Sequence, residues 1–174
     1  MELRGPAIAG VLVVALLGVG LVAYGAGVVE YPGEDRYDEA TVTFYAADGT
    51  ELAVVDVNVS DTRKQRVQGL SGVERLPEDS GMLFVYDEEG RRTYVMREME
   101  IPLDMIFVAA NGSVTVVHEA PVPPEDRDEL TPYRGTAQWV IEVPRGYAAE
   151  HDVGTGVRVH IEYDDGTTGG APPP

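Results

Sequence analysis

The chain has 174 residues, and cysteine is absent from all of them. That excludes a disulfide framework, a thiolate zinc site, an iron–sulfur cluster and a thiol nucleophile. Basic residues are scarce. Thirteen stand against thirty acidic ones, for a formal net charge of -17, and Lys64 is the only lysine. A chain this negative repels phosphate backbones unless it carries a local basic stripe. Its basic runs are short, as at Arg63-Lys64 and Arg91-Arg92, so no nucleic-acid partner is expected. Motifs of common enzymes are missing too. There is no HExxH, no P-loop and no GxGxxG, and Gly69-Leu70-Ser71-Gly72-Val73 fails as a nucleophile elbow because its last position is valine.

The acidity that remains runs along the whole chain. A carboxylate-rich, lysine-poor surface suits concentrated salt, where a Debye length of about 3 Å screens self-repulsion. The composition therefore predicts a halophilic protein. Against that background, clustered carboxylates say little about metals.

From Gly5 to Val29 no residue is charged. About 20 apolar residues in a helix cross a hydrocarbon core of about 30 Å. Residues 1–29 are thus expected to form a transmembrane helix or signal anchor, meeting the membrane through 6–29. Arg4 precedes the run, and Glu30, Glu34 and Asp35 follow it, which places the C-terminal part outside the cell. The alternative is a cleaved signal peptide, with small residues around Ala23-Tyr24-Gly25 and secretion instead of tethering. Both asparagines, Asn58 and Asn111, stand in glycosylation sequons, which agrees with export; Asn111-Gly112 is equally a hairpin turn.

Residues 30–39 read as a linker and 40–164 as one exported domain. The Gly- and Pro-rich residues 165–174 read as a disordered tail. The domain pattern is mainly β, about eight short strands with one or two short helices, giving a compact β-sandwich or barrel-like fold. Ala53, Val55, Val57 and Val59 alternate along one strand. Gly81–Tyr86 and Arg92–Met96 read as two strands joined by a turn at Asp87-Glu88-Glu89-Gly90. A helix is expected over Asp61–Leu70, capped at Ser60 or Asp61 and ended by Gly69.

Three stretches carry a family resemblance: Asp61-Thr62 with Arg66–Ser71, Leu76–Tyr86, and Tyr94–Phe107. Trp139–Gly146 adds a fourth. Together the chain, over roughly 54–162, resembles the uncharacterised family called domain of unknown function 192. The resemblance implies a compact β-sandwich-like fold, often exported, and no established activity or catalytic residue. Where the family has Phe-Trp-Met-Lys-Asn, this chain has Tyr94-Val95-Met96-Arg97-Glu98. A pocket lined by that segment would differ in shape and charge.

Candidate site residues are Arg66, Arg97, Asp104 and His118. Arg97 and Asp104 could frame a pocket floor, Arg97 offering a fork to a carboxylate or a sugar hydroxyl. Alternatively Asp104 fixes the fold, by accepting hydrogen bonds from a loop or by pairing with Arg66 or Arg97. Met82, Met96, Met99 and Met105 are donors for Cu(I) or simply core residues. His118, His151 and His160 lack diagnostic zinc spacing. No cofactor or metal site is therefore assigned. The sequence points to a membrane-anchored, extracytoplasmic, non-enzymatic module that binds a small polar ligand, a glycan or an envelope partner. A hydrolase using Asp104 or Glu98 as acid or base, and a purely structural domain, are the alternatives.

Overall fold

A computed structural model describes residues 37–124 and 129–174. The expected membrane helix and most of the expected linker lie outside these residues. Among the described residues no helix is long and apolar enough to cross a membrane.

Eight strands form one curled sheet: β1 (Asp38–Tyr45), β2 (Glu51–Ser60), β3 (Ser80–Tyr94), β4 (Leu103–Val108), β5 (Val114–Ala120), β6 (Tyr133–Pro144), β7 (Arg158–Tyr163) and β8 (Thr168–Gly170). Their order is β5-β4-β6-β3-β2-β1-β7-β8. All pairs are antiparallel except β2 with β3. That parallel pair needs a crossover, which holds helix α1 (Arg63–Gln68). The sheet curls into a half-barrel, and the β4–β5 turn with the start of β5 reaches the start of β7. Val114 N–H donates to Val157 carbonyl at 2.8 Å, and Val159 N–H to Gly112 carbonyl at 2.7 Å.

The β4–β5 hairpin turns at Asn111-Gly112, where the sequence places it, and β1 turns into β2 through Asp48-Gly49. Gly112 adopts φ +78°, which an L side chain rarely tolerates, and its backbone packs against Ala171. The helix differs slightly from expectation. Thr62 is the cap, completed reciprocally by the Gln65 side chain, because Gln65 at N3 makes a capping box. Gly69 ends it, at φ +51°.

Two expectations give way. The two strands expected over 81–86 and 92–96 are one strand, β3. Both halves pair with β6, and the residues between Val85 and Gly90 form an irregularity rather than a reversal. The expected disordered tail carries β8, which pairs with β7, and Ala171 is buried against the turn after β4.

Register divides the side chains into two clusters. On the concave face Val59, Leu83, Ile141 and Ile106 lie across four neighbouring strands. They belong to an inner cluster of aliphatic residues with Phe44, Trp139 and Tyr147. On the other face the next row runs Asn58, Met82, Glu142, Met105, His118. Its two methionines belong to an outer cluster with Leu70, Phe84, Met96, Leu103, Phe107 and Val140. The far halves of β3 and β6 cover part of this second face. Gly135 lies against the Phe107 ring, where a Cβ would come within 2.5 Å, and Thr115 Oγ1 donates to Thr136 carbonyl at 2.9 Å. The sheet is thus buried on both sides at its centre, and a polar residue in its central strands is largely withdrawn from water.

Candidate functional site

Asp104 is buried at 1% exposure. Its Oδ2 accepts hydrogen bonds from Gly146 N–H at 3.0 Å and Ala148 N–H at 2.9 Å. Those donors begin helix α2 (Tyr147–Glu150), so the carboxylate holds the corner after β6. Burial raises its pKa above the ordinary carboxylate value, and the two N–H bonds partly offset this. Its Oδ1 is buried without a partner among the described residues. The cation acting on Asp104 is Arg145, not Arg97. Arg145 also binds Glu119 at 3.0 Å. Arg97 is exposed on the loop after β3, where its carbonyl accepts a hydrogen bond from Ser71 Oγ. Asp104 thus accepts hydrogen bonds from the corner after β6, as one of the two sequence readings has it, and the structure brings Arg145 rather than Arg97 to it.

Arg66 and His118 instead mark the two ends of one row on the outer face. The Arg66 guanidinium lies 4.9 Å from the Tyr86 ring centroid, and Arg92 lies 3.8 Å from the same ring. Tyr86 and Tyr94 share a hydroxyl–hydroxyl hydrogen bond of 2.8 Å. Tyr94 packs edge-on against Phe107 at 5.8 Å, Phe107 against His118 at 5.5 Å, and His118 against Tyr133 at 5.7 Å. The backbone holds both arginines. Arg66 Nη1 donates to the Val85 and Asp61 carbonyls. Arg92 Nε donates to Ala137 carbonyl at 3.2 Å, and its Nη2 to Glu88 carbonyl. Neither pairs with a carboxylate among the described residues. The remaining N–H donors of each guanidinium are aimed by these anchors but carry no countercharge.

Sequence reading missed Glu142. It sits on β6 between Met82 and Met105, 4% exposed, and no donor among the described residues bonds its carboxyl. Burial pushes its pKa up to about 8, so the folded protein keeps it protonated at neutral pH. It also acts on Tyr94, whose pKa is raised chiefly by burial and then by Tyr86 and Glu142. One signal was available: Glu142 interrupts the apolar run Trp139–Val143. Its burial on the second face follows only once β3 and β4 are known to flank β6.

A groove of about 710 Å³ lies elsewhere, at the edge where β1, β2 and the β7–β8 turn meet. Asp38, Glu39, Asp61, Asp164 and Asp165 line it. Among the described residues no group of His, Cys, Asp or Glu is placed to hold a metal ion. The sequon residues differ: Asn111 is exposed in its turn, whereas Asn58 is half-buried within β2.

This half-barrel, with its second cluster beneath a covering loop, defines an uncharacterised class of β-rich domains. Residues 44–161 match the model of DUF192, described as Uncharacterized ACR, COG1430, and the chain belongs to that family. Two solved structures are similar. A Sinorhizobium meliloti 1021 protein, proposed to be a transcription regulator, is 29% identical with a TM-score of 0.65, over 73% of this chain and 96% of its own. A protein of unknown function from Novosphingobium aromaticivorans DSM 12444 is 25% identical with a TM-score of 0.64, over 77% and 93%. No curated protein matches the chain.

Proposed function

We propose that this chain is an extracytoplasmic, membrane-anchored binding module, without catalytic activity, for a small polar ligand that carries an anionic group. A sugar acid is the simplest example. The observation behind this reading is the pair of anchored guanidiniums on Tyr86. In a chain where acids outnumber bases thirty to thirteen, two neighbouring arginines without a carboxylate partner are unexpected unless the partner is a ligand. Arg66 and Arg92 would fork the anion. The Tyr94 hydroxyl and, further along the row, His118 and Tyr133 would meet the rest of the ligand. Preorganisation by backbone carbonyls lowers the entropic cost of binding.

Membrane anchoring rests on the uncharged run 5–29, and halophily on the net charge of -17. The exposed turn at Asn111 suits a glycan, whereas a half-buried strand position such as Asn58 does not. A role in transcription regulation, the one proposed for the S. meliloti relative, would be hard to reconcile with this charge balance if it required direct contact with nucleic acid. The hydrolase alternative, with Asp104 or Glu98 as acid or base, is less favoured at Asp104, whose Oδ2 already accepts from two backbone N–H groups.

The test is a titration of the full-length chain, in detergent and salt, with glucuronate, glucose 6-phosphate and glucose, followed by NMR of the arginine side chains. Saturable binding of an anionic sugar is expected. It should weaken about tenfold in Arg92→Gln, in line with the loss of one charge-assisted hydrogen bond. Equal binding of glucose, or no binding of either anion, would reject the reading.

A further inference from the structure

The chain has five methionines, and the four among the described residues gather in one place. Met82, Met96 and Met105 are buried in the outer cluster, and Met99 packs against it. The inner cluster is larger and contains none. Where this fold needs only close packing it uses valine, isoleucine, leucine and phenylalanine. Thioethers appear solely in the cluster that also holds an unpartnered carboxyl. The register makes the association specific. Glu142 stands directly between Met82 on β3 and Met105 on β4, all on one face, and the loop between β3 and β4 brings Met96 and Met99 over the same cluster.

We propose that the outer cluster binds one soft monovalent metal ion, Cu(I), through the thioethers of Met82, Met105 and Met96, with Glu142 supplying the compensating negative charge. Thioethers are soft, neutral donors that favour Cu(I) over Zn²⁺, Mg²⁺ or Ca²⁺. Three of them bind the ion without cancelling its charge. A buried carboxylate, which costs the fold dearly while unpaired, does cancel it. Ion and carboxylate each supply what the other lacks in an apolar enclosure. Met99, half-buried at the margin, offers a soft donor on the way in. Binding transfers the ion from one set of ligands to another without change of oxidation state, and the proton that Glu142 gives up on becoming the counterion passes to solvent. The site uses none of the guanidinium donors at Tyr86, so this inference goes beyond the anion-binding reading, and either can fail without the other.

The experiment presents Cu(I) as its coloured bicinchoninate complex, under anaerobic conditions, to the full-length chain in detergent. The expected result is withdrawal of one ion per chain, read as loss of the complex's absorbance. Met105→Leu should weaken binding at least tenfold, and the Met82→Leu/Met105→Leu double variant at least a hundredfold. Leucine for methionine keeps volume and apolarity, so the fold is expected to survive, as circular dichroism will show. Glu142→Gln should weaken binding while leaving it detectable, because the thioethers remain. An unchanged absorbance with the wild-type chain would overturn the proposal. So would withdrawal of an equal amount by the folded Met105→Leu chain, which would place the ion on surface ligands.

Discussion

Replacing Glu142 by methionine should stabilise the protein, and the gain should grow with pH. Burial holds the Glu142 carboxyl at about 8, against an ordinary value of 4.5. The unfolded chain releases this proton from about pH 4.5 upward, while the folded chain keeps it until about 8. Over that window the unfolded state binds fewer protons, so stability falls as pH rises. The contribution is fully present below 4.5 and is lost by about 8. Between pH 5 and pH 8.5 this one group should remove about 4 kcal/mol from wild-type stability. Methionine has no proton to lose and matches its neighbours Met82 and Met105 in size and polarity. The difference between variant and wild type, from urea unfolding at the two pH values, should therefore widen by about that amount. Buried ionisable groups replaced by apolar ones commonly yield such gains. A difference independent of pH would mean that Glu142 is solvated in the folded state.

Asp104 makes the opposite case. Asp104→Ala should cost about 3 kcal/mol, because it deletes the acceptor for Gly146 and Ala148 N–H, and the second of these donors is buried. Asp104→Asn keeps an amide oxygen facing both donors and should lie within about 1 kcal/mol of wild type. The raised pKa adds a sign. Asp104 also stabilises more at low pH and loses that contribution as pH rises through its folded value, so the penalty of the alanine variant should shrink toward alkaline pH. Thermal unfolding of the two variants across pH checks both statements. Glucuronate binding should be unchanged in Asp104→Asn, since the residue holds the α2 corner and lies off the Arg66–Tyr86–Arg92 group. Loss of binding by a folded Asn variant would return Asp104 to the ligand.

These two carboxyls mark how far the sequence could be read. Alternation over Ala53–Val59 reveals the inner face directly, since side chains in a strand alternate with period two. Asp48-Gly49 and Asn111-Gly112 announce their hairpins because few residues accept the required backbone. The partners of Asp104, by contrast, lie 42 and 44 positions along the chain, and no local pattern connects them. Glu142 reads locally as a solvent-facing residue in an apolar strand. Only the pairing of β6 with both β3 and β4, and the coverage of that face by the far half of β3–β6, buries it. The tail misled for another reason. Its Gly and Pro content suggests disorder, yet Gly170, at φ +76°, leaves no room for a Cβ beside the Val159 carbonyl at 2.3 Å, so glycine is what permits β8 to dock. Of the four site candidates, Arg66 and His118 stand on the outer aromatic row. Arg97 and Asp104 do not, because neighbours in sequence along the β3–β4 connection part to different surroundings.

A fold that gathers a buried unpaired carboxyl, two anchored guanidiniums and four thioethers on one face gives up stability there, and sites are where proteins do so. The most direct measurement is a pH titration of the Glu142 side-chain carboxyl in the metal-free, full-length chain, by ¹³C NMR with glutamate labelled at Cδ and Glu142→Gln assigning the resonance. A midpoint about 8 is expected. A midpoint near 4.5, the ordinary glutamate value, would contradict this account and mean that the carboxyl is hydrated or paired in the folded chain.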